Sequence, residues 1–331
     1  MNVLVLTQND MKRVFNMDDA IQADKDALAL YSGGKSNIPL RVNLDVKKFE
    51  GQSLYMPGYA QDVGALGVKI VSVYPQNIEK GITAVPSTMV LLDSETGQVC
   101  SIMDGTYLTR VRTGAVSGAA TSILARQNSS VFALFGTGGQ AETQLEAVLT
   151  TRKISLVKVF DISIERASSF AQRMSDEFGK RFSVTITPAA SSDEAIDGAD
   201  IITAVTTTKT PVFNGKLVKA GCHINGVGSY MPDMQEIDEH IVTTVRAVYV
   251  DTRNGALNEA GDLTIPIKKG SFDPNKAVEL GELITGKAQG RVSNDEVTFF
   301  KTTGSAILDI VTARRIYENA VAQGIGAVLE F

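Results

Sequence analysis

Residues 131–161 run as a strand, a glycine turn, a helix, a second strand and an acid, and few folds accommodate that succession. Val131 to Phe135 is a continuous apolar run of strand length, followed by Gly136-Thr137-Gly138-Gly139-Gln140-Ala141. Helical spacing begins at Gln140, and Leu156 to Phe160 forms the next apolar run, ending in Asp161. A buried strand feeding a glycine turn and a helix opens a βαβ unit, whose strands must lie parallel. Gly136 permits the tight turn, Gly138 lets the backbone approach a pyrophosphate, and Ala141 lets the helix pack close to the strand. The helix N-terminus offers unpaired N–H groups and the positive end of a dipole to phosphates. A lone glycine turn of this kind often serves geometry only. An acid closing the second strand, placed to bind ribose hydroxyls, favours a dinucleotide. Asp161 precedes Ile162-Ser163 with no adjacent arginine, so the pattern predicts NAD(H) as the preferred cofactor. Arg166, further along the helix, leaves NADP(H) open.

From Ser129 onward, strand-like and helix-like segments alternate: 131–135, 156–160, 183–186, 201–205, 223–227 and 247–250. That rhythm predicts a doubly wound parallel sheet of Rossmann type. The first third reads differently. A helix over 18–31 stops at Gly33-Gly34, antiparallel runs follow between Arg41 and Tyr74, and a hairpin spans 85–103. A small-residue helix starts at Asp104-Gly105-Thr106. A last helix, from about Thr303 to Gly324, is expected to return to the first domain and make it discontinuous. The fold class is therefore α/β, a Rossmann-type domain plus a discontinuous α+β domain.

With 331 residues the chain suits two domains. A formal net charge of −5 argues against nucleic acid as a partner. No apolar run approaches a membrane span, and Met1 to Leu6 reads as a short strand, not a signal peptide. Two cysteines and two histidines suggest neither a disulfide framework nor a zinc site, and a cytoplasmic protein is expected. Three basic residues stand in apolar or small-residue surroundings: Arg41, Lys69 and Arg112. For each alone a surface charge or a local ion pair is the plainer reading. Lys69 interrupts a strand of valine and isoleucine, so it needs a partner or a cleft.

In its motifs the chain resembles the ornithine cyclodeaminase/mu-crystallin family. They are Pro39-Leu40-Arg41, Gly67-Val68-Lys69, Lys80-Gly81-Ile82-Thr83, Leu92-Asp93-Ser94-Glu95-Thr96-Gly97, Leu108-Thr109-Arg110-Val111-Arg112-Thr113-Gly114-Ala115, Gly136-Thr137-Gly138-Gly139-Gln140-Ala141 and Thr303-Gly304-Ser305-Ala306-Ile307. The resemblance implies a homodimer of two-domain chains, with a substrate-binding and dimerisation domain over 1–122 and 305–331 and a dinucleotide-binding domain over 123–304. It implies that Arg41, Lys69 and Arg112 clamp a substrate carboxylate, with Lys69 and Arg112 the catalytic pair and Tyr230 and Thr303 also on the substrate side. Thr83, Thr113, Gly136, Gly138, Gly139, Gln140, Asp161, Thr206, Val227 and Gly228 are implied at the cofactor. Cyclodeaminases of the family carry an aspartate in a Gly-x-Asp-x-Pro segment. Here Gly228-Ser229-Tyr230-Met231-Pro232 places Tyr230 there, similar to members that reduce cyclic imines. The expected activity is reduction of a cyclic ketimine carboxylate, Δ1-pyrroline-2-carboxylate to L-proline. The alternatives are ornithine cyclodeamination, an alanine- or opine-type dehydrogenase, and a non-enzymatic binding protein like mu-crystallin. Asp233 and Glu236 are expected to be solvent-exposed or to cap a helix.

Overall fold

The computed structural model describes residues 2–330. The chain divides into two compact units, Met1–Arg112 with Ser305–Phe331, and Thr113–Gly304. The first crossing thus falls inside a helix, earlier than a boundary at 122, and the second falls between 304 and 305.

The first unit begins with β1 (Asn2–Leu6), α1 (Gln8–Val14) and α2 (Met17–Ser32). Both helices start at capping boxes, Thr7 with Asp10 and Asn16 with Asp19, which satisfy backbone N–H groups that a helix end leaves open. Strands β2 (Ser36–Asn37), β3 (Val42–Val46), β4 (Gly51–Ala60), β5 (Ala65–Val73), β6 (Ser87–Leu92) and β7 (Val99–Asp104) follow, then α3 (Gly105–Leu124). The sheet order is β16-β1-β7-β6-β5-β4-β2, with β3 also on β4, where β16 is the last strand of the chain (Ala327–Glu330). All its pairings are antiparallel except β1 with β7. Along β5 burial alternates, so Ala65, Gly67, Lys69 and Val71 share the covered face. A shift of one residue would turn Lys69 outward. The last helix of the chain (Ala306–Gln323) packs on β4, β5 and α2, with Ile307, Leu308, Ile310 and Ile316 fully buried. Each such side chain contributes about 1.5–3 kcal/mol relative to exposure.

The second unit holds β8 (Val131–Phe135), α4 (Ala141–Thr151), β9 (Leu156–Phe160), α5 (Ile164–Phe182), β10 (Thr185–Pro188), α6 (Ser192–Ile196), β11 (Ile201–Ala204) and β12 (His223–Gly226). It continues through α7 (Glu239–Thr244), β13 (Val248–Val250), α8 (Arg253–Glu259), α9 (Gly261–Lys269), β14 (Ala277–Glu279), α10 (Leu280–Ile284) and β15 (Thr298–Lys301). Eight strands in the order β10-β9-β8-β11-β12-β15-β13-β14 form a sheet whose every pairing is parallel. On β8, Phe132 and Leu134 enter one core while Ala133 and Phe135 enter the other. Burial on both faces is why this strand reads as an unbroken apolar run. The chain turns to β9 on one side of β8 and to β11 on the other. Ligands of open α/β sheets bind outside the carboxyl ends at such a switch point.

The final helix, α11 (Ala306–Gln323), starts later than the Thr303 read from the sequence. The N–H groups of Thr303 and Gly304 instead donate to Asp251 Oδ2 at 3.1 and 2.9 Å, which holds them out of a helical turn.

Candidate active site

In the first unit two of the three basic residues, Lys69 and Arg112, meet a group the sequence reading did not name. Lys69 Nζ lies 2.7 Å from both carboxylate oxygens of Asp309 and donates to Oδ1. Arg112 Nε donates to the same oxygen at 2.9 Å. Lys69 is 1% exposed, Arg112 6% and Asp309 0%, so the pairs are desolvated and breaking one costs about 3–5 kcal/mol. Burial, and then the Arg112 charge, push the Lys69 ammonium down to about 7. Asp309 acts against them and the Arg41 charge acts with them. Arg41 is half-buried in the loop before β3. Asp24, on α2, is also buried, and Thr312 Oγ1 donates to it at 3.4 Å. Burial first, and the nearby Asp309 charge, raise the Asp24 carboxyl well above its ordinary value, although Arg112 opposes this. Asp309 was legible in principle. It stands in Ala306-Ile-Leu-Asp-Ile-Val-Thr-Ala, a helical stretch apolar on every side, where a charge has no solvent to face. Thr83 is exposed, and its hydroxyl accepts from the Val85 N–H at 3.2 Å.

In the second unit the predicted cofactor residues other than Thr113, which lies in α3, follow the carboxyl ends of β8, β9, β11 and β12. Gly136 sits at φ +96°, a conformation that strains any side chain, and its N–H donates to the Phe160 carbonyl at 2.9 Å. Asp161 Oδ2 accepts from the Thr137 hydroxyl at 2.7 Å and from the Thr137 N–H at 3.2 Å. Asp161 Oδ1 takes the Arg166 Nη2 and Nε groups at 2.6 and 3.0 Å. Partial burial raises the Asp161 pKa, but Thr137, Arg166 and Ser163 outweigh it and hold the group below its ordinary value. Thr113 is buried, and its carbonyl accepts from Gln144 Nε2 at 2.8 Å. Val227 is buried and Tyr230 half-buried on the segment after β12.

Glu236 is fully buried, contrary to the expectation of an exposed or capping acid. Its Oε1 accepts from the Thr206 N–H and from the Thr206 hydroxyl at 2.8 Å. Its Oε2 accepts from the N–H groups of Gly228 and Ser229 at 2.5 and 2.9 Å. One carboxylate therefore ties the loop after β11 to the loop after β12. Gly228 comes so close to Thr206 that a Cβ there would run into its backbone. The Glu236 and Ile237 N–H groups donate in turn to Asp262 Oδ1 at 2.7 and 3.0 Å, and Asp262 pairs with buried Lys301 at 3.1 Å. The sequence hid this because the charges lie on separate elements. Asp233 is exposed and paired with Lys209 at 2.5 Å.

These residues fit a dinucleotide. A Cβ built on Gly138 or Gly139 meets nothing within 4 Å, so the turn is open where a pyrophosphate would approach. The buried oxygens Gln140 Oε1 and Thr303 Oγ1 have no hydrogen-bond partner, as donors or acceptors awaiting a ligand would. Among the described residues no group of three or more His, Cys, Asp or Glu is arranged to hold a metal.

The parallel sheet, its glycine turn and Asp161 define a protein with a Rossmann-type dinucleotide-binding domain, and the chain adds a second, smaller unit built on a mostly antiparallel sheet. The chain belongs to the ornithine cyclodeaminase/mu-crystallin family, whose profile matches residues 1–324. It is 39% identical over 330 residues to a Δ1-pyrroline-2-carboxylate reductase of Bacillus cereus, covering 99% of this chain and 100% of the relative. The structure of Thermococcus litoralis Δ1-pyrroline-2-carboxylate reductase in complex with NADH and L-proline superposes with a TM-score of 0.92 at 39% identity, over 98% of this chain and 99% of that one. An archaeal alanine dehydrogenase dimer with bound NAD superposes at 0.91 and 34% identity over the full length of both chains.

Proposed function

We propose that the protein reduces Δ1-pyrroline-2-carboxylate to L-proline with NADH. The observation that carries this reading is the absence of a usable base on the segment from Gly228 to Glu236. Cyclodeamination needs one, because ammonia must leave and a distal ammonium must lose a proton before it attacks. Tyr230 offers a phenol, which ionises only near pH 10 in water, about three units above neutrality. Asp233 is exposed and paired with Lys209, and the Glu236 oxygens are taken by Thr206, Gly228 and Ser229. Reduction of a preformed imine needs only a carboxylate clamp, a hydride and one proton.

This chain's residues supply the first and third. Arg112 and Arg41 hold the substrate carboxylate, Arg112 through paired parallel bonds. Lys69, poised near neutrality, donates the proton. Gly136, Gly138, Gly139, Gln140 and the α4 N-terminus hold the pyrophosphate, Asp161 holds a ribose, and Thr83, Thr113, Thr206, Val227 and Gly228 contact the rest of the cofactor. Tyr230 and Thr303 wall the substrate's ring. Bound there, the reduced nicotinamide supplies hydride to the imine carbon. NADPH is the weaker cofactor because Asp161 repels a 2′-phosphate. The chain works as a homodimer in the cytoplasm, a location suited to the two free thiols Cys100 and Cys222.

The test compares NADH oxidation by Δ1-pyrroline-2-carboxylate with ammonia release from L-ornithine and NAD, at equal enzyme. Imine reduction is expected to dominate. Ornithine turnover that matches or exceeds it sinks the proposal.

A further inference from the structure

Asp309 touches both Lys69 and Arg112 from a helix that neither belongs to. Lys69 comes from β5, Arg112 from α3 and Asp309 from α11. We infer that Asp309 is the positioning residue of the substrate clamp: its carboxylate fixes Lys69 Nζ and Arg112 Nε on one oxygen and keeps Lys69 charged as the proton donor. The inference rests on the reductase reading for the step it serves. In that step C2 of the imine receives the hydride, and the C=N π pair becomes a lone pair on nitrogen. That lone pair takes a proton from Lys69 Nζ, whose N–H bond electrons stay on the lysine. The imine becomes a secondary amine, NADH is oxidised to NAD, and water later returns a proton to Lys69.

The charge arrangement shows why one carboxylate matters. Arg112 and Arg41 face Lys69 with like charge, and both disfavour its ammonium form. Asp24 lies near Arg112 and Asp309 from α2, but burial raises its carboxyl well above its ordinary value, which weakens it as a counter-charge. Asp309 is left as the carboxylate that touches Lys69 and Arg112 together, against the like charges of Arg112 and Arg41 on the lysine. Without it, Lys69 would release its proton at lower pH and would also lose the bond that aims it.

The experiment is Asp309→Asn, read two ways. The pH profile of kcat/KM for imine reduction has a descending limb set by loss of the Lys69 proton. In the variant that limb is expected to move about one unit or more toward acid, as for a charge that loses an adjacent counter-charge. Turnover then falls about tenfold on the alkaline side and much less near pH 5.5. Independently of turnover, 13C NMR of protein labelled at lysine Cε, with Lys69→Met identifying the resonance, follows Lys69 directly. Its titration is expected to move by the same amount. Asp24→Asn should leave the limb where it is. Unchanged titration of Lys69 in Asp309→Asn overturns the inference, as does an equal movement in Asp24→Asn. If the Lys69 titration moves in Asp309→Asn but the wild-type protein does not reduce the imine, the reductase reading is refuted and the role of Asp309 in charging Lys69 stays supported. If Asp309→Asn does not fold, Asp309→Glu decides. It keeps the charge while displacing the oxygens, so the limb stays and kcat drops. Wild-type kcat and KM in that variant overturn the positioning role.

Discussion

A guanidinium held at its Nε by a buried carboxylate keeps two Nη groups for something else, and Arg112 is so held. Arg112→Ala therefore removes the proposed substrate contact and also leaves Asp309 with one partner fewer. The expected loss in kcat/KM is about 2–5 kcal/mol, typical of a desolvated charge contact, accompanied by a lower Tm. Steady-state kinetics within a few fold of wild type would show that Arg112 serves the fold alone. Asp161 poses the opposite case, a carboxylate with both oxygens engaged. Arg166 lies on Oδ1 with its side chain 59% exposed, so it is anchored at one end and free to meet solvent. Asp161→Ser removes the repulsion toward a 2′-phosphate and releases that guanidinium. The ratio of kcat/KM for NADPH to that for NADH should rise at least about tenfold, or about 1.4 kcal/mol. A ratio that stays put shows that Arg166 plays no part in choosing the cofactor. Lys69 was legible as a residue needing a partner because it breaks an apolar strand. That Asp309 would be buried could be read from its apolar helix, but not that it would meet Lys69, since an acid 240 positions away carries no mark of where its helix will dock.

Among the elements, the regular ones announced themselves. Strand β8 reads as buried on both faces, and α3 reads as a close-packed helix from its small residues. The turn at Gly136 was legible because its chemistry admits few alternatives. Strands of three or four residues, such as β14 and β15, carry too few positions for periodicity to register. Glu236 was misread for a related reason: an acid four residues past a proline looks like a loop residue unless the loops it joins are known. Those loops give it a measurable role. In Glu236→Gln one acceptor oxygen becomes an NH2 group facing N–H donors, so either Thr206 or the Gly228–Ser229 pair loses its partner. A hydrogen bond to a charged group contributes about 1.5–3 kcal/mol, so the NADH dissociation constant should rise by about tenfold or more. Fluorescence titration reads it, and far-UV circular dichroism should hardly change. Unaltered NADH binding would mean that the loops keep their places without the carboxylate.

For the whole molecule, the proposed dimer has a visible candidate surface. Leu40, Val42, Leu44 and Phe49 are all more than half exposed on and around β3, an apolar cluster unusual for a face left in water. Light scattering should give the mass of two chains. Val42→Lys with Leu44→Lys should shift the population toward one, because each buried lysine would lose its hydration. A monomeric wild type, or a double variant that stays fully dimeric, assigns this surface no part in assembly. The discontinuity of the first unit has a consequence in time. A ribosome completes all of the second unit before it makes Ala306–Gln323, the helix that covers the β4–β5 face and carries Asp309. Until that helix emerges, Met56 and Val71 lack their cover and Lys69 and Arg112 stand without their counter-ion. Synthesis is vectorial and loop closure over so many residues is slow to repay its entropy. The nascent first unit therefore exposes apolar surface for as long as the second unit takes to synthesise, and the enzyme's charge cluster is among the last structures the growing chain can assemble.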